Sequence, residues 1–338
     1  MKVRAIAFST QGCRLLHRLE GMFDDMELAC KTKADSLGIE KIDSLDDWTK
    51  ESFEIADAII FVGALGICAR HIAPYIKRKD KDPAVIDIDE IGRFTIAVLS
   101  GHIGGGNELT NKVAEYLGST PVITTATDLH GLFAVDVFAV KNNLSIQRLY
   151  LIKEASSRIL HGGFVGFLSR NGYDGNLPKG MIDADKGEFG ICISTDVNDK
   201  PFDSTMLLVP KDISVGIGCR KDTDPKKLSD FVDEILEREG ISKLRVGSIS
   251  SIDIKSEEKA ILDLAKSFDI KPMFYSAEQL MSLEGEFSKS EFVRSVTSVD
   301  CVCERSAAYT GGRIVLKKTA KDGMTIALAQ KEIRPRFD

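Results

Sequence analysis

"FTIAVLSGHIGGGNELTNKVAEYLGSTPVITT", residues 94–125, decides the fold class of the chain. An apolar run leads into a glycine-rich turn, then into apolar residues at helical spacing, and then into a second apolar run. That order predicts a strand, a helix and a strand in succession. Near-continuous apolar strands separated by helices are typical of a mainly parallel sheet that is covered on both faces.

The same alternation of apolar runs and helical patterns precedes this stretch. Three earlier apolar runs are predicted to be strands, "VRAIAF" (3–8), "DAIIFVG" (57–63) and "PAVIDID" (83–89). The intervening "ICARHIAPYI" (67–76) has apolar residues at helical spacing. We therefore predict an α/β protein whose N-terminal domain, residues 1–140, is a doubly wound, mainly parallel sheet.

The rest of the chain is predicted to contain two further parts. Residues 141–211 have a looser pattern with a Gly-, Asn- and Asp-rich interval, which predicts a small middle α/β segment or a linker. Residues 212–332 return to strand, turn and helix, and the "TDP" of "GIGCRKDTDP" is typical of a capped helix start. This last part is predicted to be a compact C-terminal α/β domain. A length of 338 residues suits two or three domains.

The charge balance argues against whole classes of partner. The chain has 45 Lys and Arg residues against 51 Asp and Glu residues, a net charge of -6. Such a surface lacks the basic field that nucleic acid or an anionic membrane requires, so neither is expected as a partner. No apolar stretch approaches the roughly 18 residues of a membrane helix and no signal peptide is visible, so a cytoplasmic location is expected. Seven scattered cysteines predict reduced thiols, and a metal held by the protein is not expected.

Four glycines and an asparagine in the opening stretch form a candidate anion-binding turn. Gly101, Gly104, Gly105 and Gly106 let the backbone approach a ligand and turn N–H groups toward it, while Asn107 begins the following helix. The stretch contains neither the G-x-x-x-x-G-K-[ST] pattern of a phosphate loop nor the G-x-G-x-x-G of dinucleotide sites. A tight strand-to-helix turn needs the same glycines, so both interpretations stay open.

A histidine and a run of hydroxyls add candidate chemistry beside this turn. His102 lies in the loop rather than on an apolar helix face, which favours a functional role. The "TTATD" string supplies Thr124, Thr125, Thr127 and Asp128, whose side chains could bind carboxylates and orient a histidine or a water molecule. An Asp-capped turn explains the same residues equally well.

Further candidate substrate-binding residues lie outside this loop. Arg70 could pair with an anion, although solvated arginines are commoner on helices. Glu304 lies among small residues in "DCVCERSAA", so it is either a buried or ligand-facing carboxylate or a plain helix-surface residue. The remaining candidates follow or end predicted strands of the C-terminal part: Gly218, Cys219, Ser251, Lys255 and Glu258.

Several long strings resemble the cobalt-precorrin-5A hydrolase family of anaerobic cobalamin biosynthesis. In residues 56–138 these are "DPAV", "LSGHIGGGN" and "VITTATD". In residues 213–329 they are "GIGC", "SIDIKSEE" and "CERSAA". The chain departs from the family pattern at "SISS", where an alanine is usual before "SID", and at "ERSAA", where "EAAA" is usual. Neither departure removes a polar group.

The resemblance implies a hydrolase that acts on a cobalt-containing, ring-contracted tetrapyrrole. Water would open the δ-lactone formed by the ring A acetate of cobalt-precorrin-5A. The two-carbon unit would leave as acetaldehyde and give cobalt-precorrin-5B. The cobalt belongs to the substrate, so no cofactor is expected. Besides the tetrapyrrole, the resemblance leaves room for a homodimer or for transient contact with other corrin-pathway enzymes.

The placement of the loops suggests a mechanism. His102 acts as general base on a water molecule, Asp128 orients it, and the amides of Gly104 to Gly106 stabilise the oxyanion at the lactone carbonyl. A corrinoid-binding or hand-over protein without catalysis would use the same features and is the first alternative. A nucleotide-dependent α/β enzyme is the second, but the phosphate-binding patterns are missing.

Overall fold

A computed structural model of the chain describes residues 1–78, 81–101, 104–125 and 133–337. The chain divides into two compact units, Met1–Val137 and Phe138–Asp338. Each unit is built on its own sheet or sheets.

The N-terminal unit is a six-stranded sheet in the order β2-β1-β3-β4-β5-β6. All neighbouring strands are parallel except β4 and β5, which are antiparallel. The strands are β1 (Lys2–Ala7), β2 (Asp25–Cys30), β3 (Ala58–Val62), β4 (Ala84–Ile88), β5 (Phe94–Leu99) and β6 (Thr120–Val122). The helices are α1 (Thr10–Leu19), α2 (Leu45–Ile55), α3 (Leu65–Ile72) and α4 (Gly106–Leu117).

Helices cover both faces of this sheet because its inner strands are apolar on both sides. All five residues of β3 are buried. On one face, Leu16 of α1 and Val113 of α4 share a core cluster with alternate strand residues. On the other, Trp48 of α2 and Cys68 of α3 pack in a second cluster, where the Trp48 ring meets Phe61 edge-on at 6.0 Å. The predicted doubly wound, mainly parallel architecture is confirmed.

The second unit contains two five-stranded sheets. The first has the order β7-β11-β10-β8-β9, in which only β7 is antiparallel to its neighbour. Its strands are β7 (Leu144–Ile146), β8 (Val165–Ser169), β9 (Met181–Asp183), β10 (Gly187–Ile193) and β11 (Phe202–Pro210). The helices associated with it are α5 (Val135–Lys141), which crosses the boundary between the units, and α6 (Leu151–Leu160).

The other sheet has the order β14-β13-β12-β16-β15. Its first three strands are parallel, and β16 runs antiparallel to β12 and β15. The strands are β12 (Ile213–Cys219), β13 (Val246–Ile252), β14 (Met273–Tyr275), β15 (Arg313–Lys321) and β16 (Met324–Gln330). The helices are α7 (Pro225–Arg238), α8 (Lys259–Ser267), α9 (Ala277–Met281), α10 (Glu291–Thr297) and α11 (Val302–Tyr309). The predicted division at residues 140/141 and 211/212 stays a prediction.

Helix α11 lies very close to β12, and one glycine permits it. A Cβ atom at Gly216 would lie 1.9 Å from the Cys303 carbonyl oxygen. Buried Arg305 holds the loop before α11, because its guanidinium pairs with Asp300 at 2.6 Å and donates to the Leu280 and Leu283 carbonyls. The start of α11 is therefore fixed against the strand ends that form the site described next.

Candidate functional site

The glycine-rich turn of the N-terminal unit joins β5 to α4. Ser100 has a left-handed backbone, with φ of 54°. The Gly106 N–H donates to the Ser100 carbonyl at 3.0 Å, and the Asn107 N–H donates to the Gly101 carbonyl at 2.9 Å. The first two amides of α4 are thus used inside the protein.

Internal packing explains three of the four glycines. A Cβ atom at Gly101 would lie 2.6 Å from Asn107 Oδ1, and one at Gly104 would lie 2.4 Å from the Ser100 Cβ. At Gly106 it would lie 2.8 Å from a main-chain oxygen. Gly105 differs, because its φ of 76° favours glycine while the space beside it is open. The tight-turn interpretation thus accounts for most of this string.

Two amides of the turn stay available to a ligand. Within the described part of the chain, the N–H groups of Gly104 and Gly105 donate no hydrogen bond, whereas that of Gly106 does. The three other residues predicted for this loop, His102, Thr127 and Asp128, lie outside the described residues. Their roles therefore stay predictions.

The remaining N-terminal candidates have simple settings. The Asn107 amide donates to Thr125 Oγ1 at 3.1 Å, which connects α4 to the segment after β6. Thr124 is exposed. Arg70 is exposed on α3, with its guanidinium beside Gly66, and no acid of the described ranges forms an ion pair with it. An incoming anion could reach Arg70 without first breaking a salt bridge.

A large cleft lies in the second unit, at the carboxyl ends of β12 and β13. Its volume is about 1340 Å³, above the roughly 300–1,000 Å³ of a typical small-molecule pocket. Adjacent parallel strands end at the same edge of a sheet, and this edge is where open α/β sheets bind ligands. The β15–β16 hairpin and the start of α11 complete the walls. Five predicted binding residues line the cleft: Gly218, Cys219, Ser251, Lys255 and Glu258.

An ion pair lies at the centre of this group. Lys255 Nζ is 3.1 Å from Glu258 Oε2, and the two side chains are only 16% and 7% exposed. The other oxygen of Glu258 accepts from the Thr223 N–H at 3.1 Å. The carboxylate is therefore fixed by two elements and holds the ammonium in one place. Ser251 is buried, and its hydroxyl donates to the Ile217 carbonyl at 2.7 Å.

Three protein-family models match successive parts of the chain. They are "Cobalamin synthesis G N-terminal" over residues 47–128, "Cobalamin biosynthesis central region" over 133–210 and "Cobalamin synthesis G C-terminus" over 213–329. The "Cobalt-precorrin-5A hydrolase" of Salmonella typhimurium is 32% identical over 297 residues, which cover 82% of this chain and 83% of the relative. This chain belongs to the cobalt-precorrin-5A hydrolase family.

Two further proteins are similar to this chain. The "Cobalt-precorrin-5A hydrolase" of Priestia megaterium is 28% identical over 298 residues, 82% of this chain and 79% of the relative. The crystal structure of a cobalamin biosynthesis protein G homolog from Sulfolobus solfataricus aligns over 98% of this chain and 97% of that one, with 23% identity and a TM-score of 0.42. The two relatives named cobalt-precorrin-5A hydrolase show that this chain is a member of an enzyme family with a role in cobalamin biosynthesis.

Glu304 is a structural carboxylate in this hydrolase-family chain. It is fully buried and accepts three hydrogen bonds of 2.7 Å, from the Ser288 N–H, the Ser288 hydroxyl and the Lys318 N–H. Burial raises the pKa of Glu304, but these donors outweigh it and leave the pKa below its usual value. The carboxylate ties α11 to β15 and to the loop around Ser288, so it faces no open space in which to meet a substrate.

The sequence interpretation missed five cations in the hydrolase-family cleft, of which Lys259 and Lys321 form ion pairs with Asp263 and Glu234. Arg220, Lys221 and Lys318 line it, and no acid of the described residues forms an ion pair with them. Arg220 and Lys221 directly follow the predicted Gly218 and Cys219, so "GIGCRK" carried a signal for them. Lys318 lies in β15, about 100 residues further along the chain, and no sequence pattern indicated that it would line the cleft.

The cleft also carries negative charge. Asp222, Glu257 and Asp322 line it together with the cations, so its charges are mixed. Among the described residues, no three His, Cys, Asp or Glu side chains come together as metal ligands. In the same part of the chain, no helix is long and apolar enough to cross a membrane.

Proposed function

We propose that this chain hydrolyses cobalt-precorrin-5A, opens its ring A δ-lactone and releases acetaldehyde to give cobalt-precorrin-5B. The observation that carries the proposal is the relative of that name from Salmonella typhimurium, 32% identical over 82% of this chain. A carrier of corrin intermediates is the alternative, because binding alone would need the same cleft.

The proposed chemistry balances with one water molecule. Water adds to the lactone carbonyl, and the ester C–O bond breaks to leave the ring A acetate and an alkoxide on the two-carbon unit. The alkoxide then forms the aldehyde C=O bond while its C–C bond to the macrocycle breaks. The electron pair of that bond returns to the ring carbon, which takes up the proton. The cobalt stays in the macrocycle throughout.

The cleft of the second unit suits the recognition of such a substrate. Its volume of about 1340 Å³ has room for a large ring, and Arg220, Lys221 and Lys318 can meet the acetate and propionate carboxylates of a tetrapyrrole. Lys255, oriented by Glu258, adds a fourth cation in a fixed position. These cations give a chain with a net charge of -6 individual partners for substrate carboxylates within a cleft of mixed charge.

The N-terminal loop supplies the proposed catalytic groups. His102 takes the proton of the attacking water, and Asp128 orients the histidine. The N–H groups of Gly104 and Gly105 stabilise the oxyanion at the lactone carbonyl, because they donate no other hydrogen bond among the described residues. Gly106, whose amide is engaged by Ser100, is left out of this role.

Acetaldehyde release decides between the hydrolase and the carrier. Purified chain is mixed in excess with cobalt-precorrin-5A under anaerobic conditions, and aldehyde is followed through NADH consumption by alcohol dehydrogenase. The hydrolase releases one equivalent per substrate. Retention of the tetrapyrrole on gel filtration without any aldehyde would establish the carrier, and neither binding nor release would refute both.

A further inference from the structure

Two thiols lie side by side on the wall of the cleft in the second unit. Cys301 directly precedes α11 and Cys303 lies in its first turn, and both line the cleft. Their sulfur atoms are 3.8 Å apart. Both side chains are otherwise buried, so the cleft is the route by which a small molecule would reach them.

The surroundings favour a thiolate on Cys301. The contact with the Cys303 thiol lowers the pKa of Cys301 despite its burial. The backbone N–H of Glu304 and the charge of Lys318 lower this pKa further, whereas the Glu304 carboxylate raises it. The same contact and burial raise the pKa of Cys303. Cys301 is thus the more acidic thiol of the pair.

Other cysteines have the opposite character. Burial raises the pKa of Cys13 to about 11 and that of Cys192 to about 12. Cys13 also contacts a second thiol, Cys30, in the N-terminal core, but neither of these two lines the cleft. Proximity of two thiols therefore occurs twice in the chain, and access from a cavity distinguishes the pair at Cys301.

We propose that Cys301 and Cys303 form a reactive dithiol site in the cleft wall, which hydroperoxides oxidise to an intramolecular disulfide. The proposal is independent of the hydrolase reaction. It assigns to the cleft a site for covalent modification by small, thiol-selective oxidants.

The oxidation balances in two steps. The Cys301 thiolate attacks the terminal oxygen of the hydroperoxide, the O–O bond breaks, and the sulfur becomes a sulfenic acid while the hydroperoxide is reduced to an alcohol or water. The Cys303 sulfur then attacks the Cys301 sulfur, and hydroxide leaves with the Cys303 proton as water. The sulfurs must approach by roughly 2 Å to reach the bond length of about 2.05 Å. Cys301 has an extended backbone and lies outside α11, so its side chain can approach Cys303 while the helix itself stays in place.

Peptide mapping reads the product directly. The reduced full-length chain is treated with hydrogen peroxide, alkylated and digested with trypsin, which releases "SVTSVDCVCER", residues 295–305, with both cysteines in one peptide. The expected product is this peptide with two hydrogens lost, no alkyl group added, and full return to the dialkylated form after dithiothreitol. The peptides of Cys13 and Cys30 stay reduced under the same dose.

Two variants test the assigned roles. In Cys303→Ser the oxidation stops at the sulfenic acid, which dimedone labels at Cys301. In Cys301→Ser the oxidation of the remaining thiol slows by at least about tenfold, because its sulfur is protonated and enclosed. Matching circular dichroism spectra and melting temperatures show that the variants are folded. Equal reactivity of both single variants, or oxidation of Cys13 and Cys30 before this pair, would overturn the proposal.

Discussion

The buried carboxyl of Asp87 should make the N-terminal unit less stable as the pH rises. Asp87 lies within β4, is 1% exposed, and its Oδ1 has no hydrogen-bond partner among the described residues. Burial, with a smaller contribution from the nearby charge of Asp89, raises its pKa from 3.8 to about 7. Cys68 of α3 faces it from the helix layer, and its thiol offers no positive charge to compensate.

The magnitude follows from the two pKa values. Well below pH 3.8, Asp87 is protonated in both the folded and the unfolded chain, so ionisation has no effect on stability. As the pH rises, the unfolded chain loses the proton first, and the folded state becomes less favourable until its own carboxyl ionises near pH 7. The full cost is about 4 kcal/mol, of which about 2.5 kcal/mol develops between pH 5 and pH 8.

The substitution Asp87→Asn should remove this pH-dependent cost. An amide of the same shape keeps a constant cost for its buried polar atoms, so the informative quantity is the difference in unfolding free energy between variant and parent at each pH. That difference should rise in favour of the variant by about 2.5 kcal/mol from pH 5 to pH 8.

Urea unfolding followed by tryptophan fluorescence measures this difference for the N-terminal unit, which contains both Asp87 and Trp48. Trp48 is the single tryptophan of the chain, and it packs against Phe61, the residue paired with Asp87 across β3 and β4. Asp25→Asn, at an exposed position of β2 in the same sheet, is the matched control and should give a flat difference. A difference for Asp87→Asn that does not change with pH would refute the assignment of a protonated, unpaired carboxyl.

Four further outcomes are expected. Lys255→Met should weaken the binding of uroporphyrin, a stable polycarboxylate tetrapyrrole, by about tenfold in fluorescence quenching, because it removes the cation. Glu258→Gln should cause a smaller loss, because it keeps the Lys255 cation and removes only the carboxylate that orients it; equal binding by all three proteins would contradict the assigned cation. Gly216→Ala should lower the free energy of unfolding by at least about 3 kcal/mol in urea titrations followed by circular dichroism, since its methyl group meets a main-chain oxygen. Arg305→Ala should cost about 3–5 kcal/mol in the same titration, because it leaves the largely enclosed Asp300 carboxylate and the Leu280 and Leu283 carbonyls without their buried donor, and a loss under 1 kcal/mol would argue against that account. His102→Gln should slow single-turnover lactone opening by on the order of 10²-fold while the tetrapyrrole still binds, and an unchanged rate would exclude the histidine as the base.

The apolar runs of the sequence located most strands of the first sheet. They predicted neither the antiparallel direction of one strand pair nor one edge strand. "PAVIDID" and "FTIAVLS" are confirmed as β4 and β5. Their antiparallel pairing was not predicted, although the connection, residues 89–93, is too short for the crossover that a parallel pair needs. Strand β2 was missed because "DMELAC" is an edge strand with two acidic residues and has no continuous apolar run.

Residues at the ends of strands were easier to place than residues brought together by the fold. Gly218 and Lys255 were predicted from strand-end strings and the family resemblance, and they line the cleft. Lys318 could not be found in this way, because it lies within the edge strand β15 and not in a turn that follows a strand. Glu304 was singled out correctly as unusual, but its neighbours in sequence do not reveal that two distant backbone N–H groups satisfy its charge.

The crowding around the glycine-rich turn has a consequence for comparing related sequences. Positions 101, 104 and 106 are closed to any side chain by atoms of the same turn, so they will resist substitution whether or not the loop binds anything. If related sequences keep these glycines, the tight packing of the turn is a sufficient reason, and ligand binding need not be involved. Gly105 and His102 are more informative positions to compare. At Gly105 only the backbone angle is restrictive and the space is open, so the pattern of substitutions at these two positions would better reveal a role in binding or catalysis.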